Sequence, residues 1–300
     1  MSGRIDFDTY GSPKVLKYTD ETVPEPGEGE VRIVARAISV NPVDWKTVAG
    51  YLKANRPLEF PAVPGNESAG VIDAVGPGVS GFAVGDEVIW HGFANGYRQK
   101  ANVPASQLTA KPASVDFEQA ASLPIAGGTA YSAVQQIGLG PGDTVLVHAA
   151  AGGVGSAAAQ IARALGARVI GTASEPHHGY LRSIGVEPVR YGHGLVDRVQ
   201  TLSAVTASID AVGGEASASA TRQLLPDLSR AVTAVADEHA AASGITAVAR
   251  VDGALAAVLA LAEQGTLRFD VQERIPLADA ARALEVSYAG HVRGKLILVP

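Results

Sequence analysis

Two stretches of the chain carry groups that can do chemistry. The first reads Asn41-Pro42-Val43-Asp44-Trp45-Lys46. The Asn41 amide can donate to a carbonyl or to a sugar oxygen, and Lys46 can hydrogen-bond an oxygen or release a proton. Tyr51, a little further on, offers a flat ring for stacking on a planar molecule. The same residues also read as a helix start. Asn41 suits the N-cap, Pro42 the first helical position, and Asp44 with Lys46 a solvated charge pair. The second stretch is His148-Ala149-Ala150-Ala151-Gly152-Gly153-Val154-Gly155. From Ala150 its spacing is A-x-G-x-x-G, with Ala in place of the first glycine of a dinucleotide-binding turn. A Val-Leu-Val run precedes it, and apolar Ala157, Ala158, Ile161, Ala162 and Leu165 follow at helical spacing. Strand, tight turn and helix would point the helix N-terminus, with Ala151, Gly152, Gly153 and Val154 as cofactor-binding residues, at a pyrophosphate. Gly152 would admit the phosphates and Gly155 would let the helix close on the strand.

Much other chemistry is excluded. The chain has no cysteine, so disulfides and thiolate zinc sites are impossible. There is no Gly-x-Ser-x-Gly elbow, and His91 stands away from any metal-ligand cluster. His148, at a strand end, reads as a satisfied core residue. A net charge of -6 gives no footing for nucleic acid or an anionic membrane. No apolar stretch is long enough to span a bilayer and the N-terminus has no signal-like run, so a cytoplasmic protein is expected.

Elements must position these groups. Short β-rich runs at Val31–Val40, Gly70–Val75, Asp86–Trp90 and Tyr97–Val103 are separated by Gly and Pro turns, which suggests a β-rich barrel. Near Phe117 the pattern changes. Helices are expected at Phe117–Leu123 and Thr129–Ile137, and then strands (Val145–Val147, Arg168–Gly171, Glu187–Tyr191, Ser208–Val212) alternate with helices (Ser156–Leu165, His178–Ile184, Gly194–Leu202). Such alternation predicts an α/β, Rossmann-type doubly wound parallel sheet. Further helices are expected at Ala254–Gln264 and Leu277–Ser287, and a last strand at Lys295–Val299. The expected division is a β-rich domain over 1–122 and 267–300, with a dinucleotide domain over 123–266 between its parts.

Several blocks at consistent spacing support a family resemblance. They are Asn41-Pro-Val-Asp-Trp-Lys46, Pro64-Gly-Asn-Glu-Ser-Ala-Gly-Val71, Val84-Gly-Asp-Glu-Val88, Leu123-Pro-Ile-Ala-Gly-Gly-Thr-Ala130, the glycine turn, Gly171-Thr-Ala-Ser174, Asp210-Ala-Val-Gly-Gly214 and Gly294-Lys-Leu-Ile-Leu298. Together they resemble the zinc-free quinone oxidoreductase (ζ-crystallin-like) branch of the medium-chain dehydrogenase/reductase superfamily, over nearly the whole chain. The resemblance implies a GroES-like barrel beside the Rossmann domain, a homodimer, and hydride transfer to a small quinone or enone. It places Asn41 and Thr129 at the nicotinamide, Val212 beside the ring, Tyr191 near the adenosine phosphate, and Arg293 or Lys295 back towards the cofactor. Two departures stand out. Asn66 sits where zinc-dependent relatives carry histidine, and the stretch 215–266 is short and lacks the family's Pro-Gly-Gly turn, showing Leu225-Pro-Asp-Leu-Ser instead.

The second strand of the nucleotide domain ends at Ala173-Ser174, where an acid would select NADH. A small neutral residue followed by a hydroxyl donor favours NADPH, although Glu175 is an adverse neighbour and Ser174 also suits a helix cap. His177, His178 or Arg182 can supply the positive charge that a 2′-phosphate wants. The expected activity is therefore an NADPH-dependent, zinc-free reductase of quinones or other conjugated carbonyls, with Asn41, Lys46 and Tyr51 as the catalytic candidates. A stand-alone enoyl reductase and a non-catalytic NADPH-binding protein are the alternatives.

Overall fold

In the computed structural model, which describes residues 1–300, the chain forms two units, Met1–Ile125 with Val271–Pro300 and Ala126–Asp270. The first unit opens with an antiparallel hairpin of β1 (Ser2–Asp6) and β2 (Lys17–Glu21). The long strand β3 (Glu30–Val40) follows, and its alternating Val31, Ile33, Ala35 and Ala37 are buried. After α1 (Pro42–Val48) come β4 (Glu67–Val75), β5 (Glu87–His91), β6 (Lys100–Pro104) and β7 (Leu108–Ala110), then α2 (Phe117–Ser122). The strand expected from Tyr97 begins only at Lys100, because the Tyr97 ring is drawn fully inside. A single π-helical turn at Leu123–Gly127 leads from α2 into the second unit.

There α3 (Gly128–Gln136), β8 (Thr144–His148), α4 (Gly153–Ala164), β9 (Arg168–Ala173), α5 (His178–Ser183), β10 (Glu187–Arg190), α6 (Leu195–Leu202) and β11 (Ala207–Asp210) alternate as expected. Then come α7 (Glu215–Leu224), β12 (Ala231–Thr233), α8 (Glu238–Ala242), β13 (Thr246–Ala247) and α9 (Ala254–Glu263). The sheet order is β10-β9-β8-β11-β12-β13, every pairing parallel. Counted within the unit this is 3-2-1-4-5-6, the Rossmann order, whose ligand edge lies at the strand C-termini around the β8–β11 switch point. The strand expected over Ser208–Val212 stops at Asp210, because that carboxylate takes the amides of Val212 and Gly213. Ala- and Ser-rich α7 and two- or three-residue strands β12 and β13 carry too little periodicity to be read from sequence.

The chain returns to the first unit through β14 (Val271–Pro276), α10 (Ala280–Ala289) and β15 (Lys295–Val299). The helix expected from Leu277 starts with a 3-10 turn at Leu277–Asp279 and becomes α-helical at Ala280. β3 holds this sheet together. It pairs with β4 along Val31–Ile38, with β6 at Glu30–Val34, and with β15 at Ile38–Val40. With β4 on one edge and β6 and β15 sharing the other, β3 anchors the sheet over a core that includes Ile5, Phe7, Ile38, Tyr97, Leu284 and Leu298. No helix is long and apolar enough to cross a membrane.

The glycine turn explains its own departure from the fingerprint. The left-handed residue is Ala149 (φ 52°), whose N–H reaches Thr172 Oγ1 at 3.0 Å. The Ala150 methyl fits because β9 has glycine opposite: a Cβ on Gly171 would lie 2.6 Å from Ala150 Cβ. Gly155 has no such latitude, since a Cβ there would fall 2.3 Å from the Ala149 carbonyl oxygen. We therefore expect Gly155→Ala to cost about 1–3 kcal/mol by overpacking, seen as a lower urea midpoint. An unchanged midpoint would mean that α4 is not held against the turn as closely as this geometry requires.

Candidate functional site

The strand ends of the first unit gather a polar cluster out of water. Pairing of Leu296 with Val40 sets Lys295 beside Asn41, and β4 begins next to them at Glu67. Lys295 is 3% exposed at its side chain and Glu67 0%. The Lys295 ammonium donates to Asn41 Oδ1 at 2.7 Å and lies 3.3 Å from Glu67 Oε1. Asn41 Nδ2 donates to the same Glu67 oxygen at 2.7 Å, while Glu67 Oε2 accepts the Ile125 N–H at 2.8 Å. Every charged group thus has a partner, which a buried pair requires. The carboxamide of Asn41 is also fixed in orientation, oxygen to lysine and nitrogen to glutamate.

Asp44 lies next to this cluster and is wholly buried, which corrects the expected solvated pair with Lys46. Its Oδ2 accepts the Asn41 N–H and the Tyr97 hydroxyl, each at 2.8 Å, and its Oδ1 accepts from Asn66. Asn41 does occupy the N-cap position of α1, with Pro42 following, and Asp44 closes that turn back onto the Asn41 amide. Burial pushes the Asp44 carboxyl up to about 6 against these hydrogen bonds, with Glu67 adding repulsion. The same burial, with Asp44 nearby, raises the Tyr97 phenol. Asn66, standing in the place of the zinc-ligating histidine, accepts the Ala94 N–H at 2.9 Å. Ala94 and Asn95 have φ of 59° and 80°, a strained pair that this bond pins.

Lys46 and Tyr51 are not part of this cluster. Lys46 is half-buried with its ammonium 5.6 Å from the Trp45 ring centroid. Tyr51 is 68% exposed and meets Trp45 edge-on, as does Tyr288. Arg293 is half-buried, and its backbone N–H bonds Gln272 Oε1. Lys295 is buried in the cluster rather than set on the surface.

In the second unit the remaining candidates stand along the C-terminal edge of the parallel sheet. Ala151, Gly152, Gly153 and Val154 follow β8 and open α4, whose first amides have no partner one turn back in the helix. Ser174 and Tyr191 follow β9 and β10, whose last residues Ala173 and Arg190 are paired. Val212 follows β11 and is 56% exposed. Thr129 is half-buried in the first turn of α3. A cavity of about 560 Å³ is lined by Ser174, Glu175, Tyr191, Arg190, His193 and Arg198 among others. The cations at this cavity are therefore arginines, whereas His177 faces Ser174 Oγ at 3.5 Å and His178 turns to the Ala173 carbonyl. Arg190 also pairs with Glu175 at 3.4 Å, offsetting the adverse acid. His148 is a core residue bonded to Thr221, and burial holds its imidazole pKa down.

Known proteins agree with this architecture. The alcohol dehydrogenase GroES-like domain family matches residues 27–113, and the zinc-binding dehydrogenase family matches residues 186–298. The quinone oxidoreductase of Pseudomonas aeruginosa is 34% identical over 328 residues, covering 100% of both chains. The chain belongs to the quinone oxidoreductase family of medium-chain dehydrogenases/reductases. Among solved structures, the Escherichia coli quinone oxidoreductase complexed with NADPH superposes with a TM-score of 0.85 at 27% identity, covering 99% of this chain and 100% of that one. A segment of polyketide synthase GfsB from Streptomyces halstedii is 45% identical over 161 residues, 53% of this chain and 3% of that protein.

Sequence reasoning missed Glu67, Asn66, Tyr97 and Arg190 as members of these clusters. The signal for Glu67 was available: a lone acid in the apolar run Ser68-Ala-Gly-Val-Ile, paired across the family blocks with a lysine in Lys295-Leu-Ile-Leu. Two outcomes follow. Lys295→Met leaves Glu67 buried and unpaired, so unfolding free energy should drop by about 3–5 kcal/mol, with partial recovery in Lys295→Met/Glu67→Gln. Equal stability of the single variant and the wild type would contradict the buried pairing.

Asp44 predicts a pH effect. Its folded carboxyl binds a proton more tightly than the unfolded one, so it stabilises most below pH 4 and that contribution is lost as pH rises through about 6. Relative to Asp44→Asn, the wild type should therefore lose up to about 3 kcal/mol between pH 4 and pH 7 in denaturant titrations. A difference independent of pH would refute the shift.

Proposed function

We propose that the protein is an NADPH-dependent reductase of quinones that works without zinc. The observation that carries this is the C-terminal edge of the Rossmann-ordered sheet. It sets the glycine turn and the first amides of α4 along the same sheet edge as Ser174, Tyr191 and Arg190, with no acid at Ala173 or Ser174. Donors and cations there suit a pyrophosphate and a 2′-phosphate. The positions of Gly155 and Gly171 fit the dinucleotide reading, since both keep side chains out of the turn. NADPH complexes of two family members, the E. coli quinone oxidoreductase and mycobacterial Rv1454c, support it.

Zinc does not fit these residues. The chain has no cysteine, no group of three His, Asp or Glu gathers, and Asn41 and Asn66 spend their amides on Glu67, Lys295, Asp44 and Ala94. NADPH held at the glycine turn would supply a hydride from its nicotinamide, and the acceptor would take its proton from solvent. Asn41 is the residue we assign to the reacting end. Glu67 and Lys295 use one amide hydrogen and one lone pair, which leaves the other hydrogen to orient a carbonyl or ribose oxygen. Lys46, in the last turn of α1, and Tyr51, just after it, are the acceptor-side candidates, and Thr129, Val212 and Arg293 are candidate contacts of the cofactor. Lys295 acts through Asn41. A homodimer in the cytoplasm completes this reading, on the family resemblance and on a cysteine-free composition.

The second reading, an enone or enoyl reductase, is favoured by the identity to part of a polyketide synthase. One assay separates them. NADPH absorbance is followed with 9,10-phenanthrenequinone, a naphthoquinone and a small enone, before and after EDTA dialysis. Turnover of the quinones, unchanged by EDTA, is expected. Turnover of the enone alone sinks the quinone reading, and tight NADPH binding without turnover identifies a binding protein. Ser174→Asp should lower kcat/KM for NADPH at least about tenfold more than for NADH, because the added carboxylate repels the 2′-phosphate. An unchanged ratio removes Ser174 from cofactor choice.

A further inference from the structure

The loop after β11 holds backbone that only glycine tolerates. Gly213 has φ 79°, and Gly214 has φ 85° with ψ 167°. Glycine reaches such φ at little steric cost, so surrounding contacts must select this one conformation from its many. Two carboxylates do so. Asp210 Oδ1 accepts the amides of Val212 and Gly213 at 2.9 and 3.0 Å. From a separate segment, Asp237 Oδ2 accepts the Gly214 N–H at 2.7 Å, and its Oδ1 accepts the Ala240 N–H at 2.9 Å, capping α8. These amides hold the Asp237 carboxyl below the usual range, so it stays ionised near neutrality. Space confirms the clamp. A Cβ on Gly213 would fall 2.7 Å from Val235 Cγ1 and 2.8 Å from Asp237 Oδ2.

Asp237 lies in the shortened stretch that lacks the family's Pro-Gly-Gly turn. We propose that Asp237 is a positioning residue, which sets the Val212–Gly214 backbone for the nicotinamide end of the cofactor in the absence of that turn. The proposal rests on the reading of Val212 as a nicotinamide contact. Asp210 alone cannot do this. It fixes the amides of Val212 and Gly213, whereas the Gly214 amide, where the chain turns into α7, has Asp237 as its acceptor.

The test uses Asp237→Ser, whose hydroxyl still caps α8 but is too short to reach Gly214, and Asp237→Asn, whose single carbonyl oxygen can serve one amide fully. Binding of 2′,5′-ADP reports the adenosine half of the site alone. For Asp237→Ser we expect its Kd to stay within about twofold while kcat with NADPH and a quinone falls at least about tenfold, as small misplacement of reacting groups does. Asp237→Asn should fall between Asp237→Ser and the wild type. An unchanged kcat overturns the proposal. So does a parallel loss of 2′,5′-ADP affinity and thermal midpoint, which would show a merely structural residue. Wild-type protein that binds neither NADPH nor 2′,5′-ADP overturns the cofactor reading itself, and the proposal falls with it.

Discussion

The Glu67 carboxylate lies wholly out of water, and a charge there must be answered on every side. Lys295, the Asn41 amide and the Ile125 N–H answer it, and each arrives from a different segment. Removing two ions from water costs several kcal/mol apiece, and only near-complete pairing recovers it. The cluster therefore acts as a registration device. The strand ends of β3, β4 and β15 and the turn before α3 must all be in place before the pair becomes tolerable. Asn41 begins α1 and is bonded twice within the cluster, so the helix start and the candidate chemistry are fixed by the same contacts.

The nucleotide unit solves a different problem, that of close approach. Its turn must bring a helix end within reach of a phosphate without a side chain intervening. Gly155 meets that need directly. At the first fingerprint position the requirement is met by exchange, a methyl on Ala150 against none on Gly171 across β8 and β9. An alanine there is consequently no weakening of the motif. The Ala150 methyl occupies the space that Gly171 leaves open, and the turn keeps its close approach to α4 at Gly155.

Strong periodicity made most of the scaffold legible. The alternation in β3, the helical spacing after the glycine turn and the β–α rhythm from Val145 to Asp210 all survive in the structure. What escaped was set by tertiary contact. Tyr97 belongs to no strand because its hydroxyl is needed by Asp44. Ser208–Val212 is cut short by its own Asp210 carboxylate. Asp44 looked solvated because Lys46 lies two residues away, yet on a helix such neighbours do not face each other, and Asp44 points inward. Arg190 was hidden for the opposite reason: it ends a strand as an ordinary charged residue, and only its pairing with Ala173 brings it to Ser174.

A carboxyl titrating near 6 within a candidate site invites an acid–base role, since catalytic groups are often tuned in this way. The surroundings of Asp44 argue otherwise. Both oxygens are held by three donors, the Asn41 amide, the Tyr97 hydroxyl and the Asn66 amide, and the group is sealed from solvent. A proton arriving there would have to displace one of those bonds and would have no path onward. The shift is thus the cost of burying a carboxylate as a backbone anchor, the task that Asp210 performs in the second unit and Asp237 at a half-buried position. In a chain without disulfides to tie loops down, carboxylates gripping N–H groups supply fixed points. The candidate reacting end is then left with groups suited to orientation rather than proton transfer.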